Sequence, residues 1–209
     1  MFCVKRGVNP LFIKAKKMKN YILTILGLLF TAPVMAQAGL KSGDIAPQFT
    51  ATDNSGKSID LKAKLKMHKA VVLFFYRGQW CPYCNKQMQH IQDSLQLLTG
   101  KGAYVIGVTP ETAENIGKTV IKTKATYAII RDKDYSIMKS YGVNYVMDAP
   151  TVKKYQAYGV DLKKANGNAD NILPVPATYV IDSTGKIILA HFDKDYSKRL
   201  SVKQILAVL

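Results

Sequence analysis

The chain has 209 residues, 48% of them apolar and 21% charged, with a formal net charge of +16. That is room for one domain of common size plus an N-terminal extra, with enough apolar material for a packed core, which excludes disorder as its general state. Basic charge of this size draws anionic partners, but no nucleic-acid motif accompanies it, so no nucleic acid is expected among them.

The N-terminus is read first. Lys5, Arg6, Lys14, Lys16, Lys17 and Lys19 precede Tyr21, and no acid occurs before Asp44. Without those six, 24 bases face 14 acids, a net of +10. The basic stretch leads into an apolar run from Tyr21 to Phe30. Pro33 and the small-residue patterns Val34-Met35-Ala36 and Ala36-Gln37-Ala38 follow. Basic region, apolar region and small-residue site, in that order, describe a secretory signal peptide. Tyr21 to Ala36 is shorter than the ~20 residues a membrane span needs, so cleavage is expected and no stable anchor afterwards. Residues 1–36 are thus expected to be a leader, with Met18 the true start, and the mature protein periplasmic.

One domain is expected over 40–209. Asp53-Asn54-Ser55-Gly56 is a turn between two short strands, since Asn and Gly tolerate positive φ. Val71-Val72-Leu73-Phe74-Phe75-Tyr76 is a continuous apolar and aromatic run, suited to a central strand buried on both faces. The chain then reaches Cys81-Pro82-Tyr83-Cys84. With Cys3 lost with the leader, these are the two cysteines of the mature chain. A bridge between them would close a ring too small to restrict the unfolded chain much. In an exported protein the pair reads as a redox couple rather than a structural staple. Two sulfurs also fall short of the four ligands of a closed zinc site, so no metal is expected.

From Pro82 to Leu98 the spacing of Met88, Ile91, Leu95 and Leu98 predicts one helix. Proline is favoured at the first helical position, which makes Cys81 the N-cap, facing free N–H groups and the positive end of the helix dipole. A thiolate is stabilised there, so Cys81 is expected to ionise below the ~8.5 of a free cysteine and to be the nucleophile. Cys84, one turn on, would then attack a mixed disulfide formed on Cys81.

Ala103–Val108 reads as a second buried strand, followed by a helix from Pro110-Glu111 to about Lys124. A strand at 127–130 and a helix near 134–141 come next. Strands alternating with helices imply a mainly parallel α/β sheet. Residues 144–173 break the rhythm as a lysine-rich insertion with one expected helix, Val152–Lys164, whose Tyr155 and Tyr158 are candidates to cap the cleft. Ala177–Ile181 and Ile187–Phe192 flank the turn Asp182-Ser183-Thr184-Gly185 as a hairpin, and a last helix is expected over 201–208. Pro176 immediately precedes a strand, a place where an X-Pro bond can be cis. His90 and His191 read as surface or core-edge residues.

The stretch Phe74 to Cys84, together with Val175-Pro176-Ala177-Thr178-Tyr179-Val180-Ile181-Asp182, resembles the thioredoxin-like superfamily. More narrowly it is similar to the peroxiredoxin-like branch of the AhpC/TSA (redoxin) families, from about Gly43 to the C-terminus, Asp195 to Arg199 included. The resemblance implies an α/β thioredoxin fold. A central mixed sheet would be flanked by helices, with an N-terminal strand extension and an insertion before the cis-proline strand. It also implies that Pro176 is that cis-proline, that the backbone of Val175 pairs with a substrate segment, and that Trp80 shields the active cysteine. Peroxiredoxins carry P-x-x-x-T-x-x-C and a later arginine. Aligned on Phe74-Phe75-Tyr76, Arg77 takes the place of the proline, Cys81 that of the threonine, and Cys84 the peroxidatic position. Pro176 occupies the later arginine's place, leaving Arg77 as candidate support for a thiolate. The buried aspartate of thioredoxins falls on Phe75, so the sequence identifies no proton acceptor.

Two chemistries follow, both ending in a Cys81–Cys84 disulfide and needing no cofactor. One is exchange with a thiol or disulfide of a protein or small molecule; the other is peroxide reduction through a sulfenic acid. Either needs an external thiol reductant. A third reading is a binding module that has lost its chemistry.

Overall fold

A computed structural model describes residues 1–2 and 38–209. The leader, with Cys3, Met18 and the apolar run, lies outside the described residues. In chain order the elements begin with the hairpin β1 (Thr50–Thr52) and β2 (Ser58–Asp60), then α1 (Leu61–Met67), β3 (Ala70–Phe75), α2 (Pro82–Asp93) and α3 (Leu95–Gly100). They continue with β4 (Ala103–Thr109), α4 (Ala113–Thr123), β5 (Ala128–Arg131), α5 (Ser136–Ser140) and β6 (Asn144–Val146). Helices α6 (Ala149–Ala157) and α7 (Leu162–Asn166) precede β7 (Ile172–Pro174), β8 (Ala177–Asp182), β9 (Ile187–Phe192) and α8 (Val202–Val208).

The main sheet has the order β5-β4-β3-β8-β9. Strands β3, β4 and β5 run parallel, and β8 joins β3 antiparallel, pairing Phe75 with Ala177. Strand β3 is central because every residue of its apolar run is buried. Its side chains alternate between two cores, as the period of two in a strand requires. Val71, Leu73 and Phe75 pack with Leu61, Leu65, Ile137 and Tyr141 on one face. Val72, Phe74 and Tyr76 pack with Cys84, Met88, Ile91, Ile116 and Ile205 on the other. Each fully buried side chain of this size stabilises the fold by about 1.5–3 kcal/mol. The result is a mixed sheet between two helical layers, the α/β thioredoxin fold. The N-terminal hairpin covers an edge: Asp53 bridges Ile130, and the Asn54 side chain accepts from the Ile129 N–H at 3.0 Å.

Four sequence expectations are corrected. The helix expected over 82–98 breaks at Ser94 (φ −105°, ψ 10°) into α2 and α3. Asp and Ser side by side favour local hydrogen bonding over helix interior. The helix expected from Pro110 begins at Ala113, capped by the Thr112 side chain, which leaves Glu111 outside it. The single helix over 152–164 is two, α6 and α7, parted at Gly159 (φ +79°) and each capped by an aspartate, Asp148 and Asp161. The insertion also carries a small sheet, β6 against β7. Finally, no peptide bond among the described residues is cis, so Pro176 follows a trans bond and not the cis bond expected.

Candidate functional site

The site forms where β3 runs out. Tyr76 stays in register with β4 through its N–H to the Val108 carbonyl. The chain then turns sharply at Gly78 (φ +156°), where a Cβ would lie 2.5 Å from Trp80 Nε1 and 2.8 Å from Glu111 Oε1. The Cys81 N–H closes the turn onto the Gly78 carbonyl at 3.0 Å, and the Asn85 amide donates to the Gln79 carbonyl at 2.7 Å. Helix α2 starts there, with Cys81 as N-cap and Pro82 in its first turn. The Cys81 sulfur accepts from the Cys84 N–H at 3.4 Å, and the two Sγ atoms, both free thiols, are 2.6 Å apart. They are almost wholly enclosed, at 1% exposure for Cys81 and 0% for Cys84.

The charge of the pair settles on Cys84, not on Cys81 as the N-cap argument leads one to expect. Burial opposes ionisation of Cys84. The hydrogen bond from Cys81, the Arg199 guanidinium, the Arg77 backbone N–H and the Arg77 charge outweigh it, bringing Cys84 down to about 6. The Arg199 Nη2 group donates to Cys84 Sγ at 3.6 Å. Cys81 is pushed far up, first by donating its proton to Cys84, then by burial and by the neighbouring negative charge. The hydrogen bond from Cys81, and then the Arg199 and Arg77 groups, favour the thiolate on Cys84.

Arg77 is buried, at 1% exposure. Its guanidinium donates to the Tyr155 hydroxyl and lies over the rings of Tyr196 and Trp80, at 4.4 and 4.9 Å. Neither Arg77 nor Arg199 belongs to any of the ion pairs among the described residues. Both guanidiniums favour the Cys84 thiolate, and Arg199 also favours the charged form of Asp195. Trp80 stacks edge-on against Tyr155 at 5.5 Å, so Tyr155 of the insertion does reach the site, whereas Tyr158 is exposed.

Glu111, which sequence reasoning passed over, is fully buried beside the pair. Its Oε1 accepts the Gln79 N–H at 2.8 Å, and the Thr119 hydroxyl donates to Oε2 at 3.3 Å. Burial raises it to about 7 against those two bonds, and the negative charge on Cys84 adds to the rise. It supplies the ionisable acid missing at Phe75. The signal that finds it is topological: strands β3 and β4 are parallel, so the residues just past their carboxyl ends meet, and α/β sites gather there. Arg199 lies within the stretch that resembles the family, without a role assigned from the sequence; the chain from β9 to α8 brings it across.

Pro176 precedes Ala177, the partner of Phe75, and so lies at the same end of the sheet as the cysteines. Val175 is buried and gives its N–H to the Val143 carbonyl at 2.7 Å. That N–H, expected to face substrate, is engaged within the chain.

Comparison with known proteins agrees with this geometry. A putative peroxiredoxin of Mycobacterium tuberculosis, MT2597, is 25% identical over 154 residues, covering 74% of this chain and 86% of that one. The thiol-disulfide oxidoreductase ResA of Bacillus subtilis is 26% identical over 178 residues, covering 85% and 82%. A putative peroxiredoxin bcp of Buchnera aphidicola is 34% identical over 104 residues, half of this chain and 65% of the Buchnera protein. Among solved structures, the peroxidoxin BcpB from Mycobacterium tuberculosis superposes with a TM-score of 0.62 at 20% identity, over 81% of this chain and 96% of that one. A family model matches residues 42–190, from before the hairpin β1–β2 well into β9. With dithiol, sheet order and that match in accord, the chain belongs to the AhpC/TSA family of thiol oxidoreductases.

Proposed function

We propose that this protein is an exported thiol-disulfide oxidoreductase that works through the Cys81–Cys84 dithiol. The observation that carries the reading is the pair of free sulfurs 2.6 Å apart at the start of α2, one of them held as a thiolate near neutral pH. The proton they share lies on Cys81 at rest, and its transfer makes either sulfur the nucleophile. The thiolate attacks a substrate disulfide, an S–S bond forms as the substrate's own breaks, and the first thiol leaves. The second cysteine, deprotonated, attacks the mixed disulfide, closing Cys81–Cys84 and releasing the second thiol. Two electrons pass to the substrate, and an external thiol restores the dithiol. Glu111, ionising at about 7 and near enough to feel the charge on Cys84, is the proton acceptor of the second cysteine in this reading. Arg77 and Arg199 hold the thiolate, and Trp80 walls the site. Export rests on the basic and apolar leader; N-terminal sequencing of the mature protein tests it, with a start just after Ala36 or Ala38 expected.

A second reading is favoured by one observation. Cys84, at the position where peroxiredoxins attack peroxide, is the ionised sulfur and has a guanidinium on it. As a peroxidase it would attack the peroxide, forming an S–O bond as O–O breaks, with alkoxide leaving to take a proton. Cys81 would then displace water from the sulfenic acid to give the same disulfide. Single variants separate the two. Disulfide reduction abolished in both Cys81→Ser and Cys84→Ser supports exchange. Rapid peroxide-driven thiol loss that survives in Cys81→Ser but not in Cys84→Ser supports the peroxidase. Neither activity in the intact protein refutes both.

A further inference from the structure

Both sulfurs are sealed, and each chemistry above needs a reactant to reach one of them in line. The wall has three sources. Arg77 and Trp80 come from the turn before α2, Tyr196 and Arg199 from the segment before α8, and Tyr145 and Tyr155 from the insertion. These pieces differ in how firmly they are held. Tyr145 is fixed in β6, paired with β7. Helix α7 is pinned to the body: Leu162 and Ala165 are buried, and the Ala165 carbonyl accepts the Thr112 N–H at 2.9 Å and the Asn115 amide at 3.0 Å. Helix α6 has no buried residue at all. It touches the molecule through Val152 and Tyr155, packed on a minor core of Met147, Leu162 and Leu173. It ends at Ala157, and Gly159 (φ +79°) carries the chain on toward the anchored α7. A helix held by so few buried contacts opens at lower cost than the body it rests on.

We propose that Tyr155 is a specificity-determining residue, closing the dithiol to bulky disulfides and admitting them when it leaves Arg77 and Trp80. Two contacts hold it shut, the hydrogen bond from the Arg77 guanidinium to its hydroxyl and the edge-on packing against Trp80. With the gate shut, small reagents reach the sulfurs far more readily than a protein disulfide does. The inference deepens the proposed thiol chemistry by naming the residue that selects the size of its substrate, and it rests on that reading.

Its test measures access without turnover. The reduced full chain is reacted with iodoacetamide or with a maleimide carrying a long polyethylene glycol chain, and modification is scored on the Cys81 and Cys84 peptides so that Cys3 does not contribute. The ratio of bulky to small labelling rates is the readout. Tyr155→Phe keeps the ring and removes only the bond to Arg77; losing a hydrogen bond to a charged group should raise the ratio about tenfold. Tyr155→Ala should raise it further. Tyr158→Ala, which removes an exposed ring of the same segment, should leave it unchanged. A ratio unmoved in Tyr155→Phe, or moved equally by Tyr158→Ala, overturns the gate. Loss of disulfide and peroxide turnover in the unaltered protein would instead sink the proposed function, so the two fail separately.

Discussion

Arg199 and Glu111 act on Cys84 with opposite sign, and that opposition sets the working pH. The guanidinium favours the thiolate, while a Glu111 carboxylate would repel it. Thiolate absorbance of the reduced protein should titrate with a midpoint near 6. Arg199→Met should move that midpoint up toward the ordinary thiol range and cut the thiolate fraction at pH 6 by about tenfold, an effect usual for a lost close charge. Glu111→Gln keeps an acceptor for the Gln79 N–H and removes the charge, so the midpoint should fall instead. The same variant has a signature in stability. A carboxyl raised to about 7 in the fold binds its proton where the unfolded chain has released it. Its contribution is fully present below the unfolded value of about 4.3 and is lost as pH rises through 7, a cost on the order of 3 kcal/mol. Denaturant unfolding between pH 4 and 8 should lose that downward slope in Glu111→Gln.

At the scale of elements, the turn from β3 into α2 is the piece whose geometry cannot be softened. Gly78 combines a positive φ with a Cα pressed toward Trp80 and Glu111. Gly78→Ala should cost about 1–3 kcal/mol in denaturant unfolding, the range for backbone strain of this kind. Because the strain falls on the turn, it should also shift the thiolate midpoint, a change that a merely weakened fold would not produce. Most elements here are legible in the chain: the apolar run of β3, the Pro82 start of α2 and the turn between β8 and β9 all stand where local pattern puts them. The misses have local causes too. Asp148 and Asp161 are good helix caps, and with Gly159 between them they describe two helices, a signal outweighed by reading the insertion as one polar stretch. The start of α4 falls later than the sequence predicts, because a proline and a glutamate together often open a helix. Here the acid is needed inside, against the turn before Trp80, and Thr112 takes the cap.

For the molecule as a whole, two guanidiniums outside the ion pairs of the described residues act on one ionisable sulfur pair. Forming the disulfide removes the thiolate and leaves that positive charge unbalanced, so the reduced state should be the more stable one. A depressed Cys84 contributes stability that is complete above the unfolded thiol value of about 8.5 and is lost as pH falls through 6. The difference in melting temperature between reduced and oxidised protein should therefore widen from pH 6 to pH 8.5. The dithiol should equilibrate with glutathione as an oxidising couple, nearer the −120 mV end of the range of about −270 to −120 mV than the reducing end. Arg199→Met should narrow the melting gap and lower the potential together. The sequence by itself determined the α/β class, the central buried strand, the dithiol and the helix that begins on it, because each follows from residues close together in the chain. Tertiary structure alone brought Arg199, 115 residues beyond Cys84, onto the sulfur that is eased toward ionisation. It alone also placed a buried acid beside the pair and a tyrosine of the insertion against Arg77 and Trp80. Electrostatic and packing forces depend on distance in space, and local pattern carries no measure of that distance.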